Sequence, residues 1–298
     1  MLERCVRCLA AQIVPADIEL HIVVIDNEPE PTNWETVAAI AAVSPFPVIY
    51  RHQPRRRIAV ARNAALDRAV ELGADQILFI DDDEIAAADW VAGLMAPEYL
   101  DTPILLGPVL TEYPASPPFW ATAQRRQAGV KGRVGELCKT GTTGNVRLSA
   151  ELLHAGFRFD EGLGLMGGED NELFTRARLA GFEMRRTLKA VVIEAAHPER
   201  LTYAGQCYRA YWCAASDMRR TAIAKGWAGA VLRKAHTVPF NLIFGAVEVA
   251  LSPLFIVLGV DAFKRRALGG GKKVAKGLGR AAAIMGRLPQ PYASIAGN

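Results

Sequence analysis

The chain has 298 residues, 51% hydrophobic and 22% charged, which excludes a disordered chain and leaves room for one large domain or two modest ones. Its net charge of +4 is unevenly placed: residues 262–298 hold eight Lys/Arg and no acid, so the rest carries 35 − 8 = 27 basic against 31 acidic residues, a net of −4. That balance argues against nucleic acid as a partner of the main domain, whereas a basic tail beside an apolar segment suits an anionic membrane surface. Five cysteines at irregular spacing complete no metal site, and the Cys5-x-x-Cys8 pair reads as reduced core thiols of a cytoplasmic chain. Residues 1–12 are charged and lack a long apolar run, so no signal peptide is expected there.

In chain order, residues 1–12 predict a helix, with Leu2, Cys5, Val6 and Leu9 at helical spacing. LHIVVI at 20–25 predicts a buried strand ending at Asp26, and the Pro- and acid-rich stretch 28–33 a loop. Residues 34–42 suit a helix, 48–51 a short strand, and 57–72 a helix stopped by Gly73. ILFI at 77–80 then reads as a strand buried on both faces, followed by a helix over 88–95. This β–α alternation predicts an α/β fold with a doubly wound, mostly parallel sheet. The chain opens on a helix, so a strand ahead of residue 1 would be needed to complete the first βαβ unit.

Further on come an apolar run at 104–111, a proline-rich loop at 113–120, a small-residue turn TGTTGN at 140–145, and a glycine-rich loop GLGLMGGED at 162–170. The last feeds a helix from Glu169 to Ala180; a strand at 190–193, His197-Pro198 and a helix over 203–220 follow. Residues 238–260 are the most apolar and have the length of a membrane span. Pro239, Asn241, Glu248, Ser252 and Pro253 interrupt them and basic residues flank both sides, so a re-entrant or interfacial segment is expected over one clean crossing.

Acidic residues stand at the ends of three elements: Asp26, the run Asp81-Asp82-Asp83, and Glu169-Asp170 behind Gly167-Gly168. In an open α/β sheet, ligands bind at the carboxyl ends of the strands, which places Asp26 and Asp81–Asp83 along one edge. Four carboxylates in a row suit a hard divalent cation on a diphosphate; an acidic loop or charged helix start is the alternative. Asp26 would accept from a base or ribose, Asp83 would hold the metal, and Arg62 and Asn63 would add polar contacts to a nucleotide. Asp170 could act as a general base toward a hydroxyl, or serve only as a helix cap. His197 could ligate a metal or be structural.

Together VVIDN at 23–27, RRIAVARNAAL at 56–66, ILFIDDDE at 77–84, TGTTGNV at 140–146 and GGEDNELFTRARLAGF at 167–182 resemble the family 2 glycosyltransferases, over roughly residues 1–200. Within them, the chain looks most like bacterial exopolysaccharide enzymes of the succinoglycan ExoM type. The resemblance implies a GT-A, Rossmann-like fold and inverting transfer of a single hexose from a nucleotide-sugar, with a UDP-sugar as the expected donor. It implies that Asp26 contacts the nucleobase or ribose and that Arg62 helps bind the nucleotide. Asp81 and Asp83 match its DxD motif around Mg²⁺ or Mn²⁺, with Asp82 between them. Asp170 would be the catalytic base beside Glu169. The family's QxxRW motif is incomplete: Gln206 and Arg209 are followed by Ala210, which favours single-sugar transfer over polymerisation.

The family's first strand and its TYxR-like turn are not in the chain, which motivates a second reading: a catalytically inactive, membrane-bound scaffold of a polysaccharide-synthesis complex. A sugar-1-phosphate nucleotidylyltransferase would want a glycine-rich basic loop near the amino terminus, and none is seen there. The expected organisation is a catalytic domain over 1–200, a helical extension over 201–237, a membrane-associated segment over 238–260 and a flexible basic tail over 261–298. The expected partners are a glycan or lipid-linked acceptor and the inner face of the cytoplasmic membrane.

Overall fold

The computed structural model describes residues 1–121, 132–163 and 167–287, which fall into two compact units. The first contains 1–111 and 132–195; the second contains 112–121 and 196–287. The boundary expected at residue 200 thus lies at 195, and the proline-rich loop belongs with the C-terminal helices.

The first unit begins with α1 (Leu2–Ala10), β1 (Ile22–Asp26), α2 (Trp34–Ala41), β2 (Val48–His52), α3 (Ile58–Glu71) and β3 (Gln76–Ile80). It continues with β4 (Glu84–Ala86), α4 (Trp90–Leu94), β5 (Ile104–Leu106), β6 (Val109–Glu112), β7 (Asn145–Ser149) and α5 (Ala150–His154). It closes with α6 (Glu169–Leu179), β8 (Met184–Arg186) and β9 (Val192–Ala195). β1 and β2 pair in parallel, from Ile22 beside Val48 to Asp26 beside His52. β3, β7, β5 and β8 form the central sheet in that order, and β4, β9 and β6 form a third.

The α/β alternation is as expected, but the sheets are more mixed than mostly parallel. β7 runs against both of its neighbours, β3 and β5, and β4 runs against β9; β5–β8 is parallel. β3 also differs from a strand covered on both faces: Ile77 is buried, whereas Leu78, Phe79 and Ile80 are half-buried. It is the end strand of its sheet, and among the described residues no strand pairs with its second edge or with that of β1. An end strand has one neighbour fewer to cover it.

The core explains why these segments hold. Leu66 of α3, Ile104 and Leu106 of β5, Leu148 of β7 and Phe174 of α6 are buried together, so both helices lie on the central sheet. Trp90 and Leu94 of α4 pack with Leu105 and Val192, and Val6 of α1 packs with Ile22, Val24, Val37 and Ile40. Two polar side chains of β7 bind the loops around it. Asn145 accepts from Trp90 Nε1 at 2.9 Å and donates to the carbonyls of Pro108 and Ala190 at 2.9 and 2.8 Å. Arg147 is fully buried and donates to the carbonyls of Leu94 (3.1 Å), Tyr99 and Thr102 (2.7 Å). Leu94 ends α4 and Tyr99 ends the 3₁₀ turn Pro97–Tyr99, so Arg147 ties both ends and the following loop to β7. Burial pulls the guanidinium down to about 10.

In the second unit, α7 (Tyr203–Lys234) is broken at Gly226, where φ is 73° and ψ 163°. α8 (Thr237–Leu251) leads into a 3₁₀ turn at Ser252–Leu258, and α9 (Val260–Ile284) follows. The expectation of a flexible tail from 261 is corrected here: α9 is one continuous helix of 25 residues to Ile284. Its glycines allow close packing, with Gly270 against the backbone of Gly245 and Gly271 against the Tyr203 ring. Two of its basic residues meet acids of the neighbouring helices, Lys273 with Glu248 at 2.7 Å and Arg280 with Asp217 at 3.9 Å. Residues 288–298 lie outside the described residues.

Arg147→Met should leave the buried carbonyls of Leu94 and Thr102 without this donor, Tyr99 O keeping the Thr102 N–H at 2.9 Å, and lower unfolding stability by about 2–4 kcal/mol, as read by urea denaturation.

Candidate active site

The apolar run of β3 delivers the acids to the end of the sheet. Asp81, Asp82 and Asp83 form a turn closed by backbone and side chain together: Glu84 N–H donates to Asp81 O at 3.1 Å, and Asp81 N–H donates to Glu84 Oε2 at 3.0 Å. Asp82 is exposed, Asp81 and Asp83 are half-buried, and Glu84 is buried. Burial, and after it the charge of Asp81, pushes the Glu84 carboxyl up to about 9, so it carries a proton at neutral pH. Gly144, in the TGTTGN turn, leaves room for it; a β-carbon there would lie 2.7 Å from Glu84 Oε1. In the β4–β9 ladder Glu84 stands directly opposite Glu194. Two charged carboxylates in such a pair would repel, and the proton on Glu84 removes that repulsion. Asp83 and Glu194 offer carboxylate oxygens within 4.8 Å of one another.

Arg62 projects from α3 and connects this turn to the start of α6. Its Nη2 donates to Asp81 Oδ1 at 3.2 Å, and its Nη1 donates to Glu169 Oε1. The guanidinium lies 5.8 Å from the centroid of the Phe159 ring. Gly167 and Gly168 precede α6 with φ of 71° and 87°, backbone conformations that side-chain-bearing residues avoid. They turn the chain so that Glu169 and Asp170 open the helix, where the dipole favours negative charge. Burial, then the neighbouring charge of Glu169, raises the Asp170 carboxyl to about 6, and Arg62 opposes that rise. Asp170 Oδ1 accepts from the Asn171 N–H at 2.6 Å.

The other predicted residues are placed differently. Asp26 ends β1 as expected, but its oxygens are engaged within the protein: Tyr50 Oη donates at 2.8 Å, Glu28 N–H at 3.2 Å and Asn33 N–H at 3.1 Å. Burial would raise its carboxyl, but these donors outweigh it and hold the group below the usual range. Asn63 fastens the segment before α6, exchanging hydrogen bonds with the Phe159 backbone at 3.0 and 2.9 Å and donating to Glu161 at 3.1 Å. Its amide is spent there rather than in the acidic turn. Within the first unit the structure brings together Asp81, Asp83, Arg62, Glu169 and Asp170. His197 belongs to the second unit, two residues past the end of β9.

Sequence reasoning missed Glu194, Tyr50 and the proton on Glu84. Glu194 had a usable signal, an acid in the strand three residues before His197. Tyr50 had none, because its partner Asp26 lies 24 residues away in sequence.

Residues 1–145 match the family described as glycosyl transferase family 2. That match covers 145 of the 298 residues. The succinoglycan biosynthesis protein ExoM of Rhizobium meliloti (strain 1021) is 34% identical over 188 residues, which is 60% of this chain and 58% of that protein. The chain therefore spans less than two thirds of that relative. Among solved structures, a mannosyltransferase PcManGT of Pyrobaculum calidifontis with GDP-Man and Mn²⁺ superposes with a TM-score of 0.51 at 16% identity, over 89% of this chain and 81% of that one. GalNAc-T7 with UDP, GalNAc and Mn²⁺ gives 0.51 at 15% identity, over 72% and 47%. At these identities the likeness concerns the fold alone, which is the GT-A fold.

The Glu84 carboxyl ionises near its ordinary 4.5 in the unfolded chain but only near 9 in the folded one, so stability falls as pH rises between those values. In chelator-treated protein, Glu84→Gln should raise the melting temperature at pH 8 by roughly 2–8 °C and leave it nearly unchanged at pH 4.

Proposed function

We propose that the chain is a metal-dependent, inverting glycosyltransferase. It moves one hexose from a nucleotide-sugar, with a UDP-sugar as the favoured donor, to a glycan or lipid-linked acceptor in cell-surface polysaccharide synthesis. The single observation that carries this reading is the joining of Asp81 and Glu169-Asp170 by one arginine, Arg62. A donor-type acidic turn and a carboxylate with the properties of a base thus belong to one constellation. The relative's role in succinoglycan biosynthesis supports the pathway, and the nucleotides and Mn²⁺ named for the two solved structures support the donor class.

The residues fit a divalent cation. Asp83 and Glu194 present carboxylate oxygens, the donors that Mg²⁺ and Mn²⁺ prefer, close enough together to share one ion. His197, which follows β9, is the proposed third ligand on the strength of its place in the chain. Such a cation, when bound, offsets charge on the departing nucleoside diphosphate.

The remaining chemistry falls to the protein. Asp170 takes the proton from the acceptor hydroxyl as its oxygen attacks the anomeric carbon from the side opposite the nucleotide. With its carboxyl near 6, Asp170 is ionised at neutral pH yet basic enough to accept that proton. Glu169 keeps Arg62 in place, and Arg62 in turn holds Asp81. The apolar stretch of the second unit is proposed to attach the enzyme to the cytoplasmic face of the membrane. Among the described residues, Thr237–Leu258 is long and apolar enough for a membrane by length and composition.

Transfer assays across UDP-, GDP- and dTDP-sugars with Mn²⁺ should show turnover whose acidic limb has a midpoint near pH 6. Asp170→Asn should lower kcat by about 10²–10⁴ while leaving UDP binding by calorimetry within about threefold. Unaltered turnover in that variant, or no turnover with any of the donors, would overturn the assignment.

A further inference from the structure

The second unit contains an apolar surface that its own fold leaves bare. Phe240, Ile243, Phe244, Val247, Leu251 and Leu254 recur at spacings of three and four, so they line one face of α8 and its 3₁₀ continuation, and every one is exposed. The opposite face is covered by α9 along its length. Arg280 Nη1 donates to Thr237 Oγ1 at 3.0 Å, Gly277 lies against Leu242, Gly270 and Val274 against Gly245, and Lys273 pairs with Glu248 at 2.7 Å. The pairs run in opposite order along the two helices. α9 therefore returns antiparallel to α8 after the turn at Gly259, whose φ of 104° permits the reversal.

This register decides how the apolar face can meet lipid. α9 carries seven basic residues, with Arg265, Arg266 and Lys276 exposed. If α8 stood across a bilayer, α9 would stand beside it, and its lysines and arginines would be distributed through the hydrocarbon. Charges at that depth are strongly disfavoured. If the pair lies flat, the bare face enters the acyl region while the long basic side chains reach lipid phosphates.

We propose that Thr237–Leu258 lies in the plane of one leaflet of an anionic bilayer and does not cross it. This rests on the membrane attachment stated above and adds the orientation and the lipid class. The pairing of Glu248 with Lys273 and Arg266, at 2.7 and 3.5 Å, fits the same arrangement. It neutralises the acid that interrupts the apolar segment on the face turned toward α9.

The test uses the full-length protein with phosphatidylcholine vesicles containing either no or 30% phosphatidylglycerol, a composition chosen for the assay. A fluorescent amino acid replaces Phe240, Val247 or Leu254, and lipids carrying quenchers at defined depths report its position. Flotation should be at least about tenfold greater with the anionic vesicles, and the three probes should report one shared shallow depth. Phe244→Asp should reduce flotation by a similar factor without altering the circular dichroism spectrum. A deep probe at 247 between shallow probes at 240 and 254, or flotation indifferent to phosphatidylglycerol, would overturn the in-plane arrangement while leaving attachment intact. Absence of flotation with both compositions, including by self-association through this face, would overturn attachment as well.

Discussion

The site depends on one cation among carboxylates. Arg62 sits between Asp81, at the end of β3, and Glu169, at the start of α6, with Phe159 beneath its plane. Burying a guanidinium costs free energy, and here two carboxylates and the nearby Asp170 offset that cost and raise its proton affinity. Removing the arginine would leave Glu169 buried without this partner. Removing Glu169 would free the arginine to swing. Arg62, which lies 19 residues from Asp81 and 107 from Glu169 in sequence, thereby holds the two ends of the site in one geometry.

The acids at the ends of the first unit's elements do not share one protonation state. Glu84 is pushed up to about 9 and Asp170 to about 6, whereas Asp26 is held below the usual range by its donors. Each difference has a local cause. Glu84 is buried beside Asp81, Asp170 is half-buried beside Glu169, and Asp26 has a tyrosine hydroxyl and backbone amides around it. A cluster of like charges can persist in a folded protein when its members are separated in this way. The neutral acid is structural, and the intermediate one is suited to proton transfer.

Much of this was legible in the residues. ILFI followed by DDDE read as a strand ending in an acidic run, and GLGLMGGED read as a glycine-rich loop feeding a helix that Glu169 and Asp170 open; the strand end and the helix start are where the structure has them. What failed to show was pairing across long separations. Asn63 and Asp26 look like free polar groups in sequence, yet Phe159, Tyr50 and Asn33 occupy them. Strand direction was equally hidden, since β7 has the same apolar pattern whether it runs with or against β3. The glycines and lysines of residues 264–280 suggested flexibility by composition. Helix α9 forms because α8 and α7 supply a surface on which glycine permits close contact and acids meet the lysines, information that lies outside the segment itself.

The central claim, that Arg62 ties the acidic turn to the proposed base and sets the proton affinity of Asp170, is tested most directly by the pH dependence of kcat/KM in Arg62→Met. Arg62 pulls the Asp170 carboxyl down, so its loss should move the acidic limb above about pH 6. A limb that stays in place or moves to lower pH in a folded, turning-over variant would contradict the account.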